Sequence, residues 1–573
     1  MSIDRWTGAS LLLFAAVPLA AAPPGSFSPE RLSQIDKTLS SDAFQGRGTA
    51  SAIEPTVIDY IARQFAAAGV QPGGDVVDGK RGWFQKVPLL RSQIAGTPVI
   101  SLDENGTKVP LRQGDDIAVL APLNGQKSVS IANAPLVFAG YGVTAPERNW
   151  DDFKGEDVRG KILVVLINDP DFEGGEGDFG GKAMTYYGRW TYKFEEAARR
   201  GAAGIIIVHE TAPASYPWAV VQNSNTGPEF DIVRDNPASQ HTGFESWIQR
   251  PLAVQLFQRA GLDFEAAKAA AKKRDFRPIP LKAALSASYS ADTGIITSHN
   301  VVGLLPGKKY PDETIIYSAH WDHLGIGKPD ATGDRIYNGA VDNGTGVSAI
   351  IEQARAFAHG PRPDRSIVFL AVTGEEAGLL GSSYYAANPL YPPGKTVGVL
   401  NTDALGVFGP AKNFSISGTA RLDLLDDLIA EGKREGLYFT PDPHPEAGGF
   451  YRSDHFSFAK QGVPAISFES GNDLVNGGTA RGEAVSRDYT AHHYHQPSDE
   501  WSPKFDFSGI AADDRLLHQV GLRLANSRAW PNWSADSEFR ATRDKTAAER
   551  GQTAPTPAAA QPVTSQPQKG ERG

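Results

Sequence analysis

Hydrophobic and polar positions fall into blocks along this chain, and each block predicts a different element. Between Ser28 and Gly69 apolar pairs recur at helical spacing: Val57-Ile58, Ile61-Ala62 and Phe65-Ala66. Pro29-Glu30 opens a first helix there, and Gly69 closes a second. Trp83 to Val87 and the alternating stretch from Val99 to Val119 predict strands. Leu136 to Gly140, Lys161 to Leu166 and Gly204 to Val208 predict more, with helices at Tyr192 to Arg200 and Phe264 to Lys273. From Gly294 the apolar runs are short and end in turn residues: Thr314 to Ser318, Ser366 to Val372, Thr396 to Leu400 and Ala465 to Phe468. Helical patterns at Gly346 to Ala358 and Leu422 to Glu435 lie between them. Alternation of this kind predicts an α/β domain with a mostly parallel central sheet flanked by helices.

Composition narrows the picture. A chain of 573 residues exceeds one ordinary domain. With 60 Gly and 40 Pro it is expected to be rich in loops. A net charge of -10 with no long basic run argues against a nucleic-acid partner. There is no cysteine, so disulfides and thiolate metal sites are excluded, and any metal must be held by His, Asp and Glu. Residues 1–22, with the apolar run Ala9 to Ala22 after Arg5, read as a signal peptide, which implies a secreted or periplasmic protein. No later stretch approaches the roughly 20 apolar residues of a membrane span. The Ala/Pro/Gln/Thr-rich residues 534–573 are expected to be disordered.

Candidate chemistry sits where apolar runs stop. In an open α/β sheet, ligands collect beyond the carboxyl ends of the strands. His320 follows one run, Glu375-Glu376 a second and Asp403 a third, so residues far apart in sequence can share one rim. Asp322, two residues from His320, can orient the imidazole, or the pair can be a surface turn. Strand alternation directs the adjoining His323 away from His320, which leaves it out of the expected site. Asp342 precedes a helix and could cap it, but Asn343 can do that equally well, leaving Asp342 to bridge two cations ~3.5–4 Å apart. Glu375 and Glu376 diverge as neighbours, so one can ligate while the other faces substrate. His492, His493 and His495 share one loop, and spacing does not choose among them. His455, beside Asp454, reads as structural.

The segments YSAHWDHLG, NGAVDNG, TGEEAGLLGS, NTDALG, YRSDHFSFAKQGVPAISF and YHQPSDE, in this order, resemble the M28 family of di-zinc aminopeptidases. LSSDAFQGRGT, further upstream, is similar to the family's N-terminal region. AGYG, DVRGKILVVL and EEAARRGAAGIIIV resemble an inserted protease-associated (PA) domain. The resemblance implies a zinc-exopeptidase-like peptidase domain split over 27–125 and 287–530, with a β-rich α+β PA domain at 126–286. It implies two divalent ions, zinc by family precedent, with His320 and Asp403 on one, Glu376 and His495 on the other, and Asp342 bridging. It makes Asp322 the partner of His320, Glu375 the general base, Tyr494 an oxyanion donor and Arg452 a substrate contact.

The implied activity is removal of N-terminal residues from peptide substrates. Three alternatives remain: a carboxypeptidase of the same family, which needs a cationic pocket that no local Arg cluster supplies; another di-metal hydrolase such as an M20-type peptidase; and a binding protein whose metals are structural. Oligomeric state is not readable from the sequence.

Overall fold

The computed structural model describes residues 26–552, apart from 105 and 176. The expected signal peptide lies outside the described residues. The strand Tyr310–His320 lies between Arg365–Val372 and Thr396–Thr402, parallel to both, and Ala465–Ser470 extends the parallel set. All residues of Arg365–Val372 and Thr396–Thr402 are buried, which is why they read as unbroken apolar runs rather than alternating ones. Helices Glu54–Ala68, Gly346–His359 and Ser508–Asn526 cover one face through Val57, Ile61, Phe65, Ile350 and Leu517. Tyr385 and Phe458, from helices Leu380–Ala387 and His455–Lys460, pack on the other face against Ile316, Val368 and Val399. The helix Glu54–Ala68 stops where its spacing predicts, at Gly69, whose φ of 99° suits glycine.

A second module has its own parallel strands, Ser128–Phe138, Ile162–Leu166, Gly204–His209 and Glu245–Gln249. Alternate residues of its strands feed two cores: Ile162 and Val164 meet Leu256 and Phe257, whereas Leu163 and Val165 meet Phe194 and Ala197. The expected start at 126 is too late. Ile117–Val119 hydrogen-bonds to Glu245–Gln249 and so belongs to the module's sheet. The two modules are joined by a ribbon: Phe84–Glu104 and Ile279–Leu305 pair antiparallel from Phe84↔Val301 to Glu104↔Ala283, with one irregularity at Ser288/Ser290.

The expected disorder from residue 534 is also corrected. Residues up to 552 carry the helix Arg540–Lys545 and a further turn at Ala547–Arg550. Phe539 is buried against Trp533, and the buried Arg543 donates to the Thr396 carbonyl at 3.0 Å. Composition misled here because a few anchors outweigh many small polar residues. Residues beyond 552 lie outside the described ones. Among the described residues no helix is long and apolar enough to cross a membrane.

Candidate metal centre

His320 is the last residue of its strand, Asp403 directly follows Thr402, and Glu375 and Glu376 lie three and four residues past Val372. Because these strands are neighbours, their ends converge. His320 Nε2 lies 3.0 Å from Asp403 Oδ1 and 3.2 Å from Asp342 Oδ1. The other oxygen of Asp342 lies 3.2 Å from His495 Nε2, which is also 3.2 Å from Glu376 Oε2. Asp342 therefore presents one oxygen to each half of the cluster.

The local sequence explains why Asp342 is available. Asn343, not Asp342, accepts from the Gly346 amide at 2.9 Å, and it donates to the Thr402 carbonyl at 3.0 Å. The Asp342–Asn343 peptide is cis. Asp499 accepts from the amides of Val341 and Asp342 at 3.0 and 3.1 Å, so the YHQPSDE segment holds the bridging carboxylate as well as supplying His495.

Asp322 is fully buried and accepts from Thr49 Oγ1 and the Glu375 amide at 3.0 and 3.2 Å. It is the Asp322 carbonyl, at 3.1 Å, that meets His320 Nδ1; the carboxylate oxygen is 3.9 Å away. The Asp322 carboxylate thus stays within ion-pair distance of the ring while its hydrogen bonds go to Thr49 and the Glu375 amide. Ser453 donates to Asp403 Oδ2 at 2.7 Å.

Charge is concentrated here. Burial would lower the His320 pKa, but Asp403, Glu375 and Asp342 outweigh it and hold it well above the usual imidazole value. Burial, with Asp403, Glu376 and Asp454 nearby, pushes Glu375 well above the carboxylate range despite His320. Burial would raise Glu376 too, yet the His323 and His495 rings beside it pull it down to about 2.

The donor set fits two divalent cations. His320, Asp342 and Asp403 form one group with mutually close ligand atoms, and Asp342 and Glu376 belong to a second. His495 Nε2 is buried and close to two carboxylates, yet it has no partner in hydrogen-bond geometry. A ring nitrogen so placed suits a lone pair aimed at a shared cation. His492 and His493 turn away, to Asp488 and Ser498. His455 is buried with neither ring nitrogen bonded and meets Phe450 edge-on at 4.6 Å; burial lowers its pKa to about 3, so it is a neutral packing residue. Tyr494 is 44% exposed and stacks on His495. Arg452 donates through Nε to the Ala447 carbonyl at 3.1 Å and faces Tyr216 of the second module.

Two residues outside the expected site reach it. His323 Nδ1 lies 2.6 Å from Glu376 Oε1; strand alternation hid it, since the strand has already ended at His320. Arg47 is fully buried and donates to four carbonyls, those of Leu39, Trp321, Asn338 and Gly339, at 2.6 to 3.0 Å. It fastens the N-terminal segment to the loops carrying His320 and Asp342. The only sequence signal for it was its place in the GRGT stretch. Arg47→Leu strands those carbonyls and uncovers buried Asp36, and is expected to cost about 3–5 kcal/mol in denaturant unfolding.

A parallel sheet covered on both faces, with paired cation-binding groups at its strand ends, defines an α/β metal-site protein. Residues 300–512 match Peptidase family M28. Aminopeptidase YwaD of Bacillus subtilis (strain 168) is 38% identical over 177 residues, covering 30% of this chain and 35% of that protein. A probable glutamate carboxypeptidase, LAMP1, of Arabidopsis thaliana is 27% identical over 281 residues, 45% of this chain and 36% of its own length. The curated relatives are matched over only 21% to 42% of their length. An aminopeptidase from Aneurinibacillus sp. strain AM-1 aligns over 87% of this chain and 94% of its own, at 18% identity and a TM-score of 0.45.

Proposed function

We propose that the chain is a secreted or periplasmic two-zinc aminopeptidase that hydrolyses the N-terminal peptide bond of peptides. The observation that carries this reading is Asp342, with one oxygen 3.2 Å from His320 and the other 3.2 Å from His495. His320 and Asp403 would hold one ion, Glu376 and His495 the other, with Asp342 shared. Zinc is supported by relatives such as a probable zinc metalloprotease of Pyricularia oryzae (strain 70-15 / ATCC MYA-4617 / FGSC 8958), 40% identical over 107 residues (19% of this chain, 21% of that protein). When bound, such ions acidify water and polarise a carbonyl.

Among the described residues the Glu375 carboxylate has no hydrogen bond of its own, unlike Glu376, so it is free to move a proton. As water oxygen attacks the scissile carbonyl carbon, Glu375 takes the water's proton. When the C–N bond breaks, it delivers that proton to the leaving amine nitrogen. Burial and the carboxylates of Asp342, Glu376, Glu375 and Asp403 keep the Tyr494 phenol protonated. It can therefore donate to the developing oxyanion. The inserted module, read as a PA domain, would border the cleft: Met184 donates its amide to the Pro445 carbonyl at 3.1 Å, seven residues before Arg452.

A carboxypeptidase reading is favoured by one observation. Arg189 of the module has a buried, unpartnered Nε and no ion pair among the described residues, and it lies near Arg452 and Tyr216. Arg189 and Arg452, one from each module, would supply the cationic side of a pocket for a terminal carboxylate. Leucinamide and N-acetylated dipeptides separate the two activities. Turnover of the amide and not of the blocked dipeptides is expected, and the opposite preference would replace the aminopeptidase reading.

A further inference from the structure

Glu376 has two oxygens with different neighbours. Oε2 faces His495 Nε2 at 3.2 Å, on the side of Asp342. Oε1 is 2.6 Å from Nδ1 of His323, a fully buried ring. A carboxylate oxygen only accepts, so the proton of this bond sits on His323 Nδ1. The lone pair therefore lies on Nε2, which is buried and has no partner. With Nδ1 spent on the hydrogen bond, His323 is not placed to ligate a cation between His495 and Glu376, although its ligand atom is close enough to be grouped with Asp342 and Glu376.

The ring is itself fixed from three sides. The His323 amide donates to the Arg47 carbonyl at 3.3 Å. The His495 ring meets it edge-on, with centroids 5.6 Å apart. Gly339 lies against it so tightly that a Cβ there would fall 2.6 Å from His323 Cγ, and the φ of 58° at Gly339 also disfavours any other residue. The loop that carries Asp342 is thus packed on the ring that holds Glu376.

We infer that His323 is a positioning residue of the metal centre: by holding Oε1 of Glu376 through Nδ1–H, it aims Oε2 at the point shared by Asp342 and His495. This rests on the reading that the centre binds two cations. Without that bond Glu376 is free to turn either oxygen towards water, and a ligand so loosened loses affinity. Outer-shell partners of this kind are worth about ten- to a hundredfold in metal affinity. The half of the centre built on His320 and Asp403 does not touch His323, so the effect should be confined to one of the two binding steps.

The test is a zinc titration of the full chain against a competing chelator, comparing wild type with His323→Phe, His323→Leu and His323→Asn. The apolar variants should weaken one binding step about ten- to a hundredfold and leave the other within about threefold. Asparagine, whose Nδ2 can stand where Nδ1 does, should recover a good part of the loss. Cobalt-loaded wild type and variants should show the same absorption bands, because no ligand is exchanged. Unchanged binding in a folded apolar variant overturns the inference, as does equal weakening of both steps, which marks a general packing defect. Altered cobalt bands overturn it too, since they make His323 a ligand. If Phe does not fold at this site, Leu reads out the same loss. Wild type that binds fewer than two ions would instead sink the two-cation reading itself.

Discussion

Glu375→Gln should abolish turnover of any substrate the wild type cleaves, by roughly 10²–10⁴-fold in kcat, with both metal ions retained. The substitution keeps the shape of the side chain and removes its ability to accept a proton. Because the Glu375 carboxylate has no hydrogen-bond partner among the described residues, and its backbone bonds to Asp322 and Gly378 survive the change, the substitution breaks no scaffold. The neighbouring Glu376→Gln gives the contrast: its Oε1 and Oε2 are engaged by His323 and His495, so its change should weaken metal binding first. Metal content and steady-state kinetics on the same samples separate the two glutamates. If Glu375→Gln keeps activity, or loses it only by losing metal, the base assignment falls. A wild type that binds metal but cleaves no peptide would favour a binding protein.

The second large effect is expected at Asp342. Asp342→Asn removes the only carboxylate that, among the described residues, faces both halves of the centre, so neither ion should bind at concentrations that saturate wild type. A ligand present at about a thousand times its Kd stabilises the native state by ~4 kcal/mol. Thermal unfolding should therefore rank metal-loaded wild type highest, then metal-free wild type, with Asp342→Asn below both. The last step of that order follows from charge. The Asp342 carboxylate lies 3.2 Å from the His320 and His495 rings, which hold its pKa well below the carboxylate range despite burial, so losing it costs stability even without cations. Retention of two ions by Asp342→Asn would end its role as the shared ligand.

Much of this was legible in the sequence, because parallel strands are apolar throughout and end abruptly at polar residues. TIIYS, SIVFLAV and TVGVL marked their own carboxyl ends, and His320, Glu376 and Asp403 could be read from them. Asp342 followed from Asn343 being a sufficient cap. His495 could be separated from His492 and His493 only by family likeness, since no local pattern says which imidazole turns inward. Residues that act through loop geometry were not legible. His323 was hidden by extending strand alternation three residues past the strand end at His320, and no pattern showed that the Asp322 carboxylate also accepts from Thr49 and the Glu375 amide. Arg189 and Arg452 stand 263 positions apart in the chain, and no periodicity connects them.

The ribbon between the modules has a consequence for how this architecture can be altered. Successive residues of a strand point to opposite sides, and the pairing of Phe84–Glu104 with Ile279–Leu305 runs through 18 registered positions. Parity is therefore transmitted along it from one module's part of the continuous sheet to the other's. One residue added to either strand alone forces a bulge. One added to both turns every side chain beyond that point to the other face. The module would then arrive inverted relative to the rim that Arg452 and Met184 share. Chimeras that exchange the module must cut both strands at paired positions and change their lengths together, by even numbers.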